Sequence, residues 1–396
     1  MRKFTSLVLC FILVMPFAAL SASAAQSSDS GIATAAESMS FFQKIINFFN
    51  DLINKIRALF GLSVEKENEP LQPVVDNTAD VVYNFGAYGD GVHDDTAAIQ
   101  NALDYMKNSG GTVYFPDGIY MISACLIFYS EQTLNFSENA VLRRAAAAEP
   151  AKYMLASYTS SASGAGGYNG VQNAAINGGT FDGNADTSGN LTILNLCHAK
   201  NVTVSGASFV NGSYWHYIEI ASSSDVLVRN CSFDAESYTL NREAPVDELI
   251  QLDVAKGGNY GPIYNVNGSL VNFIKDETPC RNIEIADCVF NCGGAPAIGE
   301  HNGYAHTGIS IHGNIINGVS ARNGSSNGYI KFMEGAKNIE IYENEFNSSA
   351  EPESLNKGVV VLNIASDSCR AYENVFNGYF SEYFTDNIVA ENNVFN

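Results

Sequence analysis

The sequence predicts an all-β chain, a solenoid of short parallel strands with each turn laid on the one before. Three observations lead there. A pattern of two apolar residues two positions apart, with a third five further on, returns along the second half of the chain. It is met at Val202, Val204 and Phe209; Val226, Val228 and Phe233; Ile283, Ile285 and Phe290; Ile309, Ile311 and Ile316; Ile339, Ile341 and Phe346; and Ile388, Ala390 and Phe395. A weaker copy stands at Cys369, Ala371 and Phe376. Alternation with period two belongs to strands, and a return every roughly 20 to 30 residues is one coil of a solenoid. Asn314, Asn344, Asn374 and Asn393 each stand two residues before the third apolar position, where a side-chain amide replaces the partners lost at a bend. Almost no helical periodicity follows Lys107. These features describe a parallel β-helix.

The elements follow in order. Arg2 and Lys3 precede an apolar run over 7–20 and small residues over 21–25, the parts of a secretory signal peptide spanning 1–25. The run is too short to cross a bilayer comfortably and no later stretch is long enough. An exported, extracellular protein with no membrane span is expected. A second region, 26–79, contains an amphipathic helix over 38–60, where Phe42, Ile45, Ile46, Phe49, Ile53, Ile56 and Phe60 recur at helical spacing. Gly61 and a polar run over 65–70 end it as a linker. This helix either tethers the chain to a partner or surface, or docks on the main domain. The main domain spans 80–396. Asp94, Asp95 and Thr96 are placed to cap a helix over 97–107, with the carboxylates at its positive end. Gly110 and Gly111 break it, and strands over 112–115 and 120–122 flank a Pro116-Asp117-Gly118 turn.

Charge and cysteines narrow the function. The chain carries 42 acidic against 21 basic residues, a net −21, which repels nucleic acid and anionic membranes at long range. A polyanionic ligand is mildly disfavoured unless a local basic cleft receives it. Of eight cysteines, Cys10 falls in the signal peptide; the other seven are scattered and odd in number, unlike a disulfide framework. Cys231 and Cys288 occupy the position that asparagine holds in later coils, so alternation turns them inward as stacked thiols.

Residues 84–100, read from Asn84-Phe85-Gly86-Ala87-Tyr88-Gly89-Asp90-Gly91 through Asp94-Asp95-Thr96 to Gln100, resemble the opening of the pectate-lyase-like β-helix superfamily of rhamnogalacturonases, polygalacturonases and epimerase-like relatives. The resemblance implies a right-handed, single-stranded parallel β-helix with an N-terminal capping helix. It also implies structural roles for Asp90, Asp94 and Asp95. Residues 211–216, Asn-Gly-Ser-Tyr-Trp-His, are similar to the polygalacturonase stretch before the first catalytic strand. Gly328-Tyr329-Ile330-Lys331 is similar to the basic strand of that branch, without its arginine. The chain departs from the branch elsewhere: Cys292-Gly293-Gly294 stands where paired aspartates belong, and Gly299-Glu300-His301 is the nearest match to Gly-His-Gly.

A further strand is expected in each coil, over 217–220, 249–254, 295–298, 329–332 and 359–364. With Ile218, Ile220, Ile250, Leu252, Val254, Ile330 and Phe332 inward, Glu219, Gln251, Asp253 and Lys331 face out. Coils about 4.8 Å apart join these to Glu300 and His301 as one polar stripe. Asp253, Glu219 and Glu300 are the candidate catalytic residues, because neighbouring carboxylates divide into one proton donor and one ionised partner. Gln251, His301, Lys331, Trp215 and Tyr217 are the candidate substrate-binding residues, with Tyr214 and Tyr260 as further stacking surfaces. His216 shares the parity of Ile218, a hydrogen-bonded position. The leading reading is a glycoside hydrolase acting on a plant-type or pectic polysaccharide, inverting by analogy and needing no metal or cofactor. A polysaccharide lyase, drawing on Ca²⁺, and a non-catalytic glycan-binding or adhesive β-helix are the alternatives, with an epimerase, which has no feature of its own here, as a fourth.

Overall fold

The computed structural model describes residues 71–396 apart from 147–151, 159–165, 185–190, 213–214, 236–247, 258–262, 269, 294, 301, 319–327, 349–359, 367 and 381. The expected signal peptide and the helix over 38–60 lie outside the described residues, as do Tyr214, Tyr260 and His301.

The main domain is a right-handed parallel β-helix. Among the described residues its strands form three long parallel sheets and one short antiparallel pair. Sheet one runs through eleven strands from Thr78–Asp80 to Ile388–Glu391, sheet two through eleven from Asp90–Asp94 to Val394–Phe395, and sheet three through nine from Leu126–Phe128 to Glu382–Phe384. The repeat read from the sequence is the register. Val202, Val226, Ile283, Ile309, Ile339, Cys369 and Ile388 pair in one column of sheet one. Phe209, Phe233, Phe290, Ile316, Phe346, Phe376 and Phe395 pair in one column of sheet two.

Each coil cannot bury its apolar face alone, so stacking builds the core. Phe181, Phe209, Phe233 and Phe290 stack with ring centroids 5.2, 5.0 and 4.7 Å apart. Beyond Ile316 the column resumes as Phe346, Phe376 and Phe395 at 4.9 and 5.3 Å. The asparagines form a buried ladder at the bend. The Asn344 amide donates to Asn374 Oδ1 (3.0 Å) and Ile311 O (2.9 Å), and its Oδ1 accepts from the Asn314 amide (2.9 Å). Each of these coils thus satisfies the bend of its neighbour. Cys288 and Cys231 continue that column upward, with the Cys231 N–H directed at Cys288 Sγ (3.4 Å). All seven described cysteines are buried and free. Burial pushes the Cys125, Cys280 and Cys369 thiols up to about 12.

A second column escaped the sequence reading. Asn173, Asn201, Asp225, Asn282 and Asn338, each just before the first apolar residue of its coil, adopt φ between 52° and 55°, and Gly308 takes the same place. Short polar side chains and glycine tolerate this left-handed turn.

The helix spans Thr96–Tyr105, slightly earlier than expected, and caps the solenoid with Ile99, Ala102 and Leu103 buried. Its Gln100 amide donates to Ile127 O (2.9 Å) and accepts from Ile127 N (2.8 Å), pairing the edge strand of sheet three. The capping differs from the expectation: Asp95 makes no side-chain cap, because its carboxylate takes the Tyr88 and Gly89 N–H groups. Asp94 accepts from Thr96 N instead (3.0 Å). Asp90 accepts from Val92 and His93 N–H (both 3.0 Å), so this acidic segment is occupied in shaping the entry to the helix.

Candidate functional site

Sheet three separates from the other two by its burial. The strands Lys200–Ser205 and Lys337–Tyr342 of sheet one alternate between buried and open positions. In contrast, Tyr153–Ser157, Thr192–Cys197, Ile218–Ala221 and Ile250–Asp253 of sheet three are buried at every position. Their outer face is covered. Ile218, Ile220, Ile250 and Leu252 line the core side, and the outer side of the same strands carries polar groups that a β-helix core does not require.

The register places Asn195, Glu219, Gln251, Gly299, Lys331 and Asn363 in one row across six coils. Glu219, Gln251 and Lys331 therefore share a line as alternation implied. Asp253 stands off this row, paired with Ala221 two residues further along. Glu219 and Gln251 are each 3% exposed and Asp253 4%. The Asn195 amide donates to Glu219 Oε2 (3.1 Å), and Asp253 Oδ1 accepts from the Val254 N–H (2.7 Å). The Tyr153 hydroxyl is held well above 10 by burial and by the Glu219 carboxylate beside it. It stays protonated at neutral pH.

Two expected site residues are reassigned. Tyr217 is fully buried, and it is a core residue instead of a sugar-stacking surface. Both Tyr217 N and Ile218 N donate to Leu249 O (3.0 Å each), a bulge that interrupts strict alternation. Tyr217 thus turns inward with Ile218, and its hydroxyl donates to Asp234 O (2.6 Å). Glu300 has a structural contact set that accounts for its burial. Its carboxylate accepts three backbone N–H groups, from Asn302 (2.9 Å), Gly303 (2.8 Å) and Met333 (2.6 Å), tying the turn after sheet three to the next coil. Glu300→Ala is expected to lower stability by at least about 2 kcal/mol, since charge-assisted bonds are lost and donors stay buried. Turnover per folded molecule should stay unchanged. Urea unfolding followed beside an activity assay checks it, and lost activity at unchanged stability would restore Glu300 to the site.

Four residues outside the candidate set join the site. Asn195 and Tyr153 flank Glu219. Glu248 is buried against the gap left by Gly299, where an added Cβ would come 3.3 Å from Glu248 Cγ and 2.8 Å from Lys331 O. His216 Nδ1 lies 2.8 Å from Glu248 O and 3.7 Å from Glu248 Oε2. Tyr304 borders Asp253, and burial with the charges of Asp253, Glu277 and Glu300 pushes its hydroxyl up to about 12. The half-buried Trp215 stands at the rim, with Lys152 Nζ 5.6 Å from its ring and 5.0 Å from that of Tyr153. Among the described residues no group of three or more His, Cys, Asp or Glu is arranged to hold a metal ion.

A family model described as rhamnogalacturonase A/epimerase, pectate lyase-like, matches residues 81–318. The chain belongs to that family. Among curated relatives, this pectate lyase-like chain is 29% identical over 174 residues to plasmin and fibronectin-binding protein A of Streptococcus pneumoniae (strain ATCC BAA-255 / R6), covering 40% of this chain and 24% of the relative. It is 60% identical over 43 residues to mannuronan C5-epimerase AlgE1 of Azotobacter vinelandii, covering 11% of this chain and 3% of the relative. The matches thus span about a quarter or less of these relatives. Among solved structures, PfbA, a surface adhesin of Streptococcus pneumoniae, aligns with a TM-score of 0.60 over 81% of this chain and 80% of that one, at 22% identity. That likeness establishes the same fold. No helix among the described residues is long and apolar enough to cross a membrane.

Proposed function

We propose that this pectate lyase-like chain is a secreted carbohydrate-active enzyme, a glycoside hydrolase that cleaves a pectic or other plant-type polysaccharide on the outer face of sheet three. The observation that carries this reading is the set of three nearly solvent-free carboxylates, Glu219 and Asp253 on neighbouring strands of sheet three and Glu248 just before the second of those strands. Burying a charged group is costly unless partners offset it, and the coil geometry asks for none of them. Glu219 and Asp253 lie on neighbouring strands, two residues apart in register. Strand spacing and rise set their Cα atoms roughly 8 Å apart, and side chains rising from the same face at that spacing leave room for a water between an acid and a base, the arrangement of inverting hydrolysis. Lys331 supplies a cation in the same row for a uronate or hydroxyl, Gln251 hydrogen bonds, and Trp215 an aromatic face at the rim.

One observation favours a second reading. The 29% identity to a plasmin and fibronectin-binding protein supports an adhesive surface without turnover. Incubation of the protein with pectic and neutral glycans, with and without a chelator, separates the two when products are read by mass spectrometry and ultraviolet absorbance. Saturated fragments carrying one added water, insensitive to chelation, are expected. Unsaturated absorbing fragments would transfer the reading to a lyase. Intact glycans together with retention on immobilised fibronectin would replace it by adhesion.

A further inference from the structure

We propose that His198 is a protonated bolt joining the turn over 166–170 to the segment over 271–277, and that loss of one ring proton loosens that junction. His198 is fully buried at the turn between Thr192–Cys197 and Lys200–Ser205, with φ 54°. Its Nδ1 lies 2.7 Å from Gly167 O, and its Nε2 lies 2.6 Å from Ile274 O. A carbonyl oxygen only accepts, so each contact is a hydrogen bond only if that ring nitrogen bears a proton. Neutral imidazole bears one and imidazolium two. Both bonds therefore exist together only in the cation. The two carbonyls are remote in sequence, one 31 residues before His198 and the other 76 after it, so the ring joins segments that no backbone connection aligns.

The surroundings suit a cation. Asp276, on the Ile274 side, accepts from Gly167 N (2.6 Å) and Thr278 N (3.1 Å). Burial opposes its ionisation, yet those N–H groups and the His198 charge hold its carboxyl below the usual range. On the turn side, Tyr168 donates to Pro279 O (2.7 Å) and lies beneath the Arg281 guanidinium, 5.4 Å from its ring centroid. Asp225 adds negative charge near Tyr168. The neighbouring Cys197 and Cys280 thiols are kept protonated by burial. The packing is close: a Cβ at Gly166 would meet Asp276 Oδ2 at 2.8 Å.

The bolted segment follows the antiparallel pair Ile263–Tyr264 and Leu270–Val271. Asn267 at its turn donates to Asn101 Oδ1 and Asp104 Oδ2 of the capping helix (2.9 Å each). Phe273 stands edge-on to Tyr153, 6.3 Å between centroids, and Glu277 N donates to Ala255 O (3.2 Å). The segment is fastened at the helix by Asn267, and at the turn over 166–170 by His198 together with the Gly167 N–H bond to Asp276 and the Tyr168 bond to Pro279 O. Because Tyr153 adjoins Glu219, loosening the segment would open the Tyr153 side of that carboxylate. That last consequence rests on the proposed reading of the site, whereas the bolt does not.

Hydrogen exchange of the full chain from about pH 5 to about pH 9, corrected for intrinsic rates, tests it. Protection of residues 166–170 and 271–277 is expected to fall about tenfold or more with rising pH, while Val226 and Ile283 in the core strands hold theirs. In His198→Gln, whose amide does not titrate, the step should vanish. Protection that does not change with pH in the unaltered protein, or the same step retained in His198→Gln, would overturn the proposal. So would a ¹⁵N spectrum showing a singly protonated His198 ring at about pH 5, a reading that needs no variant to fold.

Discussion

Asp253→Asn and Glu219→Gln are each expected to slow glycan cleavage by about 10²- to 10⁴-fold, the range over which a positioned acid or base acts, with glycan affinity retained. Both substitutions keep shape and acceptor oxygens, so the Val254 N–H still finds Asp253 Oδ1 and the Asn195 amide still finds the Glu219 position. Folding should therefore change little. If the two carboxylates act as one unit, the double variant should be scarcely slower than either single one. Turnover from product mass spectra, set beside calorimetric affinity for the same glycan, is the decisive measurement. Full activity in both single variants would remove the carboxylate pair even with cleavage demonstrated. Lost binding with the fold intact would make these residues contacts of an adhesive face.

Phe233→Ala should be the most damaging change in the core, at about 3–5 kcal/mol. The ring is fully buried between Phe209 and Phe290, with Tyr217 also facing it at 6.4 Å. The cavity cannot collapse, because backbone pairing holds each coil in register with the next. In a solenoid the loss is felt first by nearest neighbours. The coils holding Phe209 and Phe290 should lose exchange protection before the terminal coils do. Val289→Ala, one residue before Phe290 but 37% exposed, is the control and should cost less than about 1 kcal/mol. Equal urea midpoints for the two variants would show that the stack contributes no more than ordinary strand propensity.

The two changes fall on features of different legibility. Phe233 could be picked out because a coil repeats its register, so the inward phenylalanines and bend asparagines recur at fixed offsets along the chain. The seven-membered phenylalanine and isoleucine column and the asparagine ladder follow from that periodicity. So does the row containing Glu219, Gln251 and Lys331, since side-chain direction along a strand alternates locally. The inward turn of Tyr217 and the backbone contacts of Glu300 have local causes that a pattern of two does not contain. A bulge at Leu249 O reverses the first, and three backbone N–H groups claim the carboxylate of the second.

Asn195, Tyr153 and Glu248 had no signal of their own, because each acquires its meaning from a coil distant in sequence. Glu248 fits where Gly299 leaves out a side chain, and Tyr153 meets Glu219 across an intervening strand. The sequence by itself determined the β-helix, its capping helix, its inward columns and the parity of its outer row, all consequences of short-range periodicity. Only the tertiary structure decided which outward groups lie buried together, what covers them, and that His198 faces two carbonyls at once. Those facts depend on segments tens of residues apart meeting in space, and chain periodicity carries no record of such meetings.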